Sequence, residues 1–234
     1  MDKLKSYQHI FFDLDHTLWD YERNSSESLN ELFKKYELKN RGIASEIEFL
    51  STFEKINHSL WAQFNKNKIN RDTIRKNRFK DILAFYNISD NLLSEQLSDE
   101  YLMLCPTKPH VFPYTYEVLE YLKGKYSLHI LTNGFNDVQT IKLKHASLIN
   151  YFSSVVTSDS AGYKKPMASI FKFAIDKAEA MKEESIMIGD NLQTDILGAR
   201  NFGMDQIYFN PSMRKHDANI TYEIKCLSDL RNIL

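Results

Sequence analysis

The glycines of this chain are concentrated in its second half, and this asymmetry restricts the possible folds more than any other feature. Five of the 7 glycines lie after position 130, whereas only Gly42 falls between Thr17 and Pro109. A glycine-poor stretch with helical periodicity is typical of a helix bundle, whereas short apolar runs ending in Gly or Asp are typical of buried strands. The sequence therefore predicts two parts that are built differently.

The middle of the chain predicts a helix bundle. Apolar residues recur at helical spacing in two series, Leu29, Leu32, Phe33 and Tyr36, then Phe49, Phe53, Ile56 and Leu60. Ser25 and Ser26 stand where they can cap the first of these helices. Amphipathic stretches follow at about 71–87 and 91–104, and Arg71, Arg75 and Arg78 share one face of the former. Such a face is usually solvated, with substrate binding as the alternative. Prolines between Pro106 and Pro113 end the last helix and mark a domain boundary.

The remainder of the chain predicts an α/β domain. Short apolar runs alternate with helical patterns, at His9–Phe12, Ser127–Leu131, Val155–Thr157, Ser185–Ile188 and Ile207–Phe209. Such alternation predicts a doubly wound parallel sheet, a Rossmann-like core with helices on both faces. His9–Phe12 must join this sheet, because it is too short to stand alone. We therefore expect a core formed by 1–17 and 107–234, with residues 18–106 inserted as a helical cap.

Candidate functional residues follow the ends of the predicted strands, where parallel sheets bind ligands. They are Asp13, Asp15, Thr132, Asn133, Ser158, Asp159 and Asp190, with Asp195 five positions later and Lys165 near the start of a helix. Crowded carboxylates need a compensating cation, and oxygen ligands without His or Cys favour Mg2+. A lysine and a threonine hydroxyl can hold phosphoryl oxygens. These residues alone indicate Mg2+-assisted phosphoryl transfer.

A carboxylate can also take part covalently in such a reaction. It can attack phosphorus and form an aspartyl-phosphate, which divides one difficult displacement into two easier steps. A second carboxyl two residues further on lies on the same face of an extended segment. From there it could protonate the leaving oxygen and later deprotonate the attacking water.

Four ordered motifs carry a resemblance to a known family. They are Asp13-Leu14-Asp15-His16-Thr17-Leu18, Leu131-Thr132-Asn133-Gly134, Gly162-x-x-Lys165-Pro166 and Ile188-Gly189-Asp190-x4-Asp195. Together they resemble the haloacid dehalogenase (HAD) superfamily, whose helical cap follows the first motif. The run from Phe12 to Asp20 is similar to that of the pyrimidine 5'-nucleotidase subgroup.

The resemblance implies a role for each matching residue. Asp13 is implied to be the nucleophile and a metal ligand, and Asp15 the general acid/base, whose main-chain carbonyl also contacts the metal. Thr132 and Asn133 are implied to bind phosphate. Lys165 is implied to neutralise both the nucleophile and the phosphate, as a catalytic and phosphate-binding residue. Asp190 is implied to ligate Mg2+ directly, with Asp195 in a supporting, outer position.

The function that this resemblance implies is a Mg2+-dependent phosphatase, a phosphoric monoester hydrolase similar to 5'-nucleotidases that act on pyrimidine nucleoside monophosphates. A sugar-phosphate or phosphoglycolate phosphatase and a β-phosphoglucomutase-like phosphomutase are the alternatives. A dehalogenase would need neither Asp15 nor Asp190, and a phosphonate hydrolase would need a lysine in the cap. A receiver-like signalling domain, the non-enzyme alternative, would need neither Asp15 nor an inserted cap.

The composition of the chain indicates which binding partners and which cell compartment are expected. With 30 Lys+Arg against 31 Asp+Glu and a net charge of -1, we expect no binding to nucleic-acid polymers or anionic membranes. The expected partner is a small phosphorylated metabolite or nucleoside monophosphate, and nothing in the sequence indicates an oligomeric state. Two cysteines form no disulfide framework, and the apolar run before Asp13 does not fit a signal peptide. A cytoplasmic location is therefore expected.

Overall fold

The short apolar runs form one parallel sheet in the computed structural model, which describes residues 6–234. The strands are β1 (His9–Phe12), β2 (Ser127–Thr132), β3 (Ser154–Thr157), β4 (Ser185–Gly189), β5 (Asp205–Phe209) and β6 (Tyr222–Ile224). Their order is β3-β2-β1-β4-β5-β6, and all neighbouring strands are parallel. The predicted doubly wound α/β class is confirmed. The edge strand β6 has no counterpart among the predicted strands.

Strand β1 lies inside the sheet, and helices cover it. Its residues Ile10, Phe11 and Phe12 are fully buried, and alternate side chains of a strand point to opposite faces. Phe11 shares an apolar cluster with Phe171 and Met187. The helices of this part of the chain are α5 (Thr115–Lys123), α6 (Asn136–His145), α7 (Ser158–Ala161), α8 (Ala168–Lys177) and α9 (Leu197–Phe202), with a π-helical turn at Leu192–Ile196. (The helices α1 to α4 lie between β1 and α5 in the chain.) Burial on both faces explains why β1 is almost entirely apolar.

The chain divides into two compact units. One unit combines the residues up to Tyr21 with Pro109–Leu234, and the other is Glu22–Lys108. These borders lie within a few residues of the expected ones, and Met1–Lys5 of the expected core fall outside the described residues. In the part of the chain that the structure describes, no helix combines the length and apolarity that crossing a bilayer demands.

The inserted unit is helical, as its periodicity predicts. Its helices are α1 (Tyr21–Lys35), α2 (Glu46–Asn65), α3 (Arg71–Phe85) and α4 (Asn91–Leu104). Ser45, Asn70 and Asp90 precede α2, α3 and α4, and each side chain accepts a hydrogen bond from a main-chain N–H near the helix start. Such caps satisfy N–H groups that have no partner inside the helix. Local sequence therefore sets where three of these helices begin.

The predicted serine cap of α1 is wrong. The helix begins at Tyr21, so that Ser25 and Ser26 lie within it. The Ser25 hydroxyl is buried and lies 2.9 Å from the Tyr101 hydroxyl of α4. A serine inside a helix can satisfy its hydroxyl across a helix contact, which removes the need for a capping position.

The expectation of a solvated arginine face is also wrong at Arg78. Its side chain is only 6% exposed. The guanidinium lies 5.7 Å from the ring centroid of Phe53 and 5.3 Å from that of Tyr101. These cation–π contacts hold Arg78 in the interior of the helical unit.

Candidate active site

Three predicted site residues meet at one edge of the sheet. Asp13 directly follows β1, Thr132 ends β2, and Asp190 directly follows β4. Strands β2 and β4 flank β1, with Phe12 in register with both Ile130 and Ile188. Because the strands are parallel, their carboxyl ends bring these side chains to a common site.

Lys165 connects the acidic residues of this site. Its ammonium donates to Asp13 Oδ1 at 2.7 Å and to the carbonyl of Leu131 at 2.8 Å, and it lies 2.7 Å from Asp195 Oδ1. The side chain is almost completely buried. Burial opposes the charge of Lys165, but the carboxylates of Asp13 and Asp195 outweigh it and raise its pKa to about 12. The lysine therefore stays charged next to Asp13.

Asp195 is held rigidly behind the strand ends. Besides Lys165, its carboxylate accepts hydrogen bonds from the Asn191 main-chain N–H at 3.1 Å and the Thr194 hydroxyl at 3.1 Å. A Cβ on Gly189 would lie 2.3 Å from Asp195 Oδ2, a distance that no side chain tolerates. The glycine of the fourth motif thus makes the space that Asp195 occupies. A buried, fully engaged carboxylate fits the supporting position expected for Asp195.

The acidic side chains form a group that fits a metal ion. Asp13, Asp190 and Asp195 each place a carboxylate oxygen within 4.8 Å of the others. Burial raises the pKa of Asp13 to about 7, although the Lys165 charge opposes this. Burial, reinforced by Asp195 and Asp13, raises the pKa of Asp190 well above its ordinary value. Carboxyl groups this close repel one another when they ionise together, so a bound cation would stabilise their ionised forms. A set of donors that are all oxygen atoms suits Mg2+.

The Asp15 carboxylate lies outside that acidic group and contacts two residues of α6. Lys142 Nζ donates to Asp15 Oδ1 at 2.5 Å, and Gln139 Nε2 donates to Asp15 Oδ2 at 2.8 Å. Burial raises the pKa of Asp15, but Lys142 and Gln139 outweigh it, and the pKa lies below its ordinary value. The metal contact expected of Asp15 involves its main-chain carbonyl and stays a prediction.

Thr132 and Asn133 are placed differently from one another. The Thr132 hydroxyl accepts hydrogen bonds from the Gly134 N–H at 3.0 Å and from Gln139 Nε2 at 2.9 Å, so its own proton can be donated to a ligand. The Asn133 amide instead clamps the main chain of Lys165, donating to its carbonyl at 2.9 Å and accepting from its N–H at 2.7 Å. The side chain of Asn133 therefore fixes the position of Lys165, and a phosphate contact by Asn133 stays a prediction.

Two further residues at the site were not predicted, although the sequence contains a signal for them. In α6 the buried stripe falls at Gln139, Lys142 and Leu143, and it continues to Ala146 directly after the helix. This is the helical spacing of an apolar face, yet its first two positions are polar. A lysine and a glutamine at core positions of a helix next to a strand end indicate buried polar partners.

Comparison with known proteins extends these observations. HAD-hydrolase YfnB of Bacillus subtilis is 28% identical over 99% of this chain and 97% of its own length. A crystal structure of YfnB, described as bound to magnesium, superimposes with a TM-score of 0.88 at 26% identity, over 98% of this chain and 99% of that one.

Two relatives carry the name pyrimidine 5'-nucleotidase. PynA of Streptococcus pneumoniae is 29% identical over 97% of this chain and 95% of its own length. YjjG of Escherichia coli is 26% identical over 96% of each chain. Residues 10–209 match the family described as haloacid dehalogenase-like hydrolase, and this range includes all four motifs. The resemblance drawn from those motifs is confirmed, and the chain belongs to the haloacid dehalogenase-like hydrolases.

Proposed function

We propose that the protein is a Mg2+-dependent phosphatase of small phosphomonoesters that works through an aspartyl-phosphate on Asp13. The observation that carries this proposal is the buried Asp13 carboxylate, bonded to Lys165 and grouped with Asp190 and Asp195. A nucleophilic carboxylate, a fixed cation and a cation-binding group of carboxylates are the parts that phosphoryl transfer requires.

The reaction divides between two carboxyl groups. A carboxylate oxygen of Asp13 attacks phosphorus while the bond from phosphorus to the ester oxygen breaks. Because Lys142 and Gln139 hold the pKa of Asp15 below its ordinary value, the reaction proceeds through the minor protonated form of Asp15, which gives its proton to that departing oxygen. Asp15, now ionised, then removes a proton from water. The resulting hydroxide oxygen attacks the phosphorus, and the bond from phosphorus to the Asp13 oxygen breaks. Inorganic phosphate leaves, and the Asp13 carboxylate is regenerated.

The surrounding residues stabilise negative charge on the phosphoryl group. Lys165 neutralises Asp13 as it approaches phosphorus, and the Thr132 hydroxyl donates a hydrogen bond to a phosphoryl oxygen. Asp13 and Asp190 would hold Mg2+ together with the Asp15 carbonyl, supported by Asp195, and the ion would neutralise the phosphoryl oxygens.

Nucleoside 5'-monophosphates, pyrimidine ones foremost, are the proposed substrates. The support is the similarity to PynA and YjjG, both named pyrimidine 5'-nucleotidases, over nearly the whole chain. In the cell we place the enzyme in the cytoplasm, where these metabolites occur.

A substrate panel tests this proposal. Phosphate release is measured with pyrimidine and purine 5'-monophosphates, sugar phosphates and 2-phosphoglycolate, with Mg2+ or with a chelator. We expect repeated turnover that requires Mg2+, and a kcat/KM at least about tenfold higher for pyrimidine nucleotides. Preference for a sugar phosphate or for 2-phosphoglycolate would replace the nucleotidase assignment. A product that retains its phosphate would indicate a mutase, and no turnover on any ester would contradict the phosphatase.

Replacing Asp190 tests the metal site separately. Asp190→Asn removes one negative charge from the carboxylate group, so we expect the Mg2+ concentration for half-maximal activity to rise by about tenfold or more. Direct Mg2+ binding, measured by calorimetry, should weaken in parallel. The exposed Asp176→Asn is the control, and an unchanged Mg2+ titration in Asp190→Asn would contradict the assignment.

The Mg2+ requirement of the wild-type protein should also depend on pH. Because Asp13 has a pKa near 7, its protonation competes with the metal, and the Mg2+ concentration for half-maximal activity should rise as the pH falls below that value.

A further inference from the structure

Both oxygens of the Asp15 carboxylate have a donor of their own, and both donors come from α6. Lys142 Nζ lies 2.5 Å from Oδ1, and Gln139 Nε2 lies 2.8 Å from Oδ2. A carboxylate held at both oxygens cannot rotate without losing a hydrogen bond. The orientation of Asp15 is therefore determined by α6, a helix outside the four motifs.

Lys142 is itself enclosed by other groups of the same unit. Its side chain is only 5% exposed, and its ammonium lies 4.3 Å from the centroid of the Trp19 ring. Trp19 also forms an isolated β-bridge with Asp15, which ties the main chain at both residues. A lysine fixed by an aromatic ring on one side and a carboxylate on the other acts as a rigid support.

Gln139 links Asp15 to the phosphate-binding hydroxyl. Its amide nitrogen donates to Asp15 Oδ2 and, at 2.9 Å, to Thr132 Oγ1, which uses both of its N–H groups. The amide oxygen of this fully buried residue has no hydrogen-bond partner among residues 6–234. A Cβ on Gly134 would lie 2.1 Å from Gln139 Nε2, so the glycine of the second motif admits this amide. Leaving a buried acceptor unpaired is unfavourable. In Gln139 this cost accompanies an orientation in which the amide nitrogen donates to both Asp15 and Thr132.

We propose that Lys142 and Gln139 are positioning residues that hold the Asp15 carboxyl at a fixed place relative to Thr132, and hence to the ester oxygen of the bound substrate. The inference rests on the proposed function, since it requires Asp15 to transfer a proton to that oxygen. Proton transfer is efficient only when donor and acceptor are held within hydrogen-bonding reach. A misplaced Asp15 should therefore slow those reactions that depend on protonation of the leaving group.

The dependence on the leaving group provides the test. p-Nitrophenolate leaves without much protonation, whereas the ribose alkoxide of uridine 5'-monophosphate needs a proton from Asp15. For Lys142→Met we expect kcat/KM to fall by about tenfold or more with the nucleotide and by less than about threefold with p-nitrophenyl phosphate. Lys142→Arg, which retains a charged donor in a larger group, should lose less of the nucleotide rate than Lys142→Met. Gln139→Leu should repeat the selective loss independently, including in the event that Lys142→Met does not fold.

The control is Lys144→Met, which removes an exposed lysine from the same helix. It should match the wild type with both substrates. Three results for Lys142→Met and Gln139→Leu would overturn the positioning role. They are equal losses of kcat/KM on both substrates, a faster reaction with the nucleotide, and no loss on either substrate. If the wild-type enzyme itself releases no phosphate from either ester, the proposed function fails, and this result is distinct from a variant that loses its leaving-group dependence.

Discussion

We expect Asp13→Asn to abolish turnover, with kcat lower by about four orders of magnitude or more, because the substitution removes the covalent nucleophile. The amide has no negative charge and is a poor nucleophile toward phosphorus, so no phosphoenzyme forms. The amide oxygen can still accept the hydrogen bond from Lys165 that Asp13 accepts at 2.7 Å. The variant should therefore fold, and its loss of activity should reflect the chemistry alone.

Two measurements check this result. Steady-state phosphate release gives kcat, and brief incubation with a radiolabelled substrate followed by acid quench shows whether the protein carries label. Wild-type protein should carry label that hydroxylamine removes, as an acyl phosphate does, whereas Asp13→Asn should carry none. A variant that keeps more than about 1% of the wild-type kcat would exclude Asp13 as the nucleophile.

We expect Lys165→Ala to lower kcat/KM by about 30-fold to 1000-fold, the effect of losing about 2–4 kcal/mol of transition-state stabilisation from one electrostatic donor. The side chain is 1% exposed and contacts both Asp13 and Asp195. Its removal leaves two buried carboxylates without their cation, so we also expect a loss of stability of about 3–5 kcal/mol.

The two effects of Lys165→Ala can be measured separately. Urea unfolding gives the change in stability, and kinetics at a temperature where the variant is folded give the change in rate. Lys172→Ala is the control, since Lys172 is exposed and pairs with Asp176 on α8. Lys165→Arg should not restore the rate, because a guanidinium is larger and differs in shape from the ammonium that meets three acceptors at 2.7–2.8 Å. A loss in kcat/KM below threefold for Lys165→Ala would make Lys165 a bystander.

Much of the core could be predicted from the sequence because its strands are short, apolar and followed by glycine or polar residues. His9–Phe12 is predicted at the observed bounds of β1, and the helical insertion follows from periodicity. The start of α1 could not be predicted, because the sequence does not show whether a serine hydroxyl caps a helix or, as in Ser25, contacts Tyr101 of another helix. Edge strand β6 is short and half polar, so it lacks the apolar pattern of the inner strands.

The site was predicted in part for a related reason. The motifs place Asp13, Thr132 and Asp190 at the ends of predicted strands, and the sheet order makes those strands neighbours. Spacing contains no information on which atom a side chain contacts. Thus the Asn133 amide bonds the Lys165 main chain, and Lys142 meets Asp15 across a large sequence separation. These pairings depend on how α6 packs on the sheet.

The position of β1 in the strand order affects when the sheet can assemble during synthesis. His9 pairs with Ser127 on one side and with Ser185 on the other, so the first strand made acquires both neighbours only after most of the chain has left the ribosome. The helices of Glu22–Lys108 depend on contacts close in sequence, which form faster than contacts between distant segments. We therefore expect the helical insertion to fold while β1 remains an unpaired apolar segment.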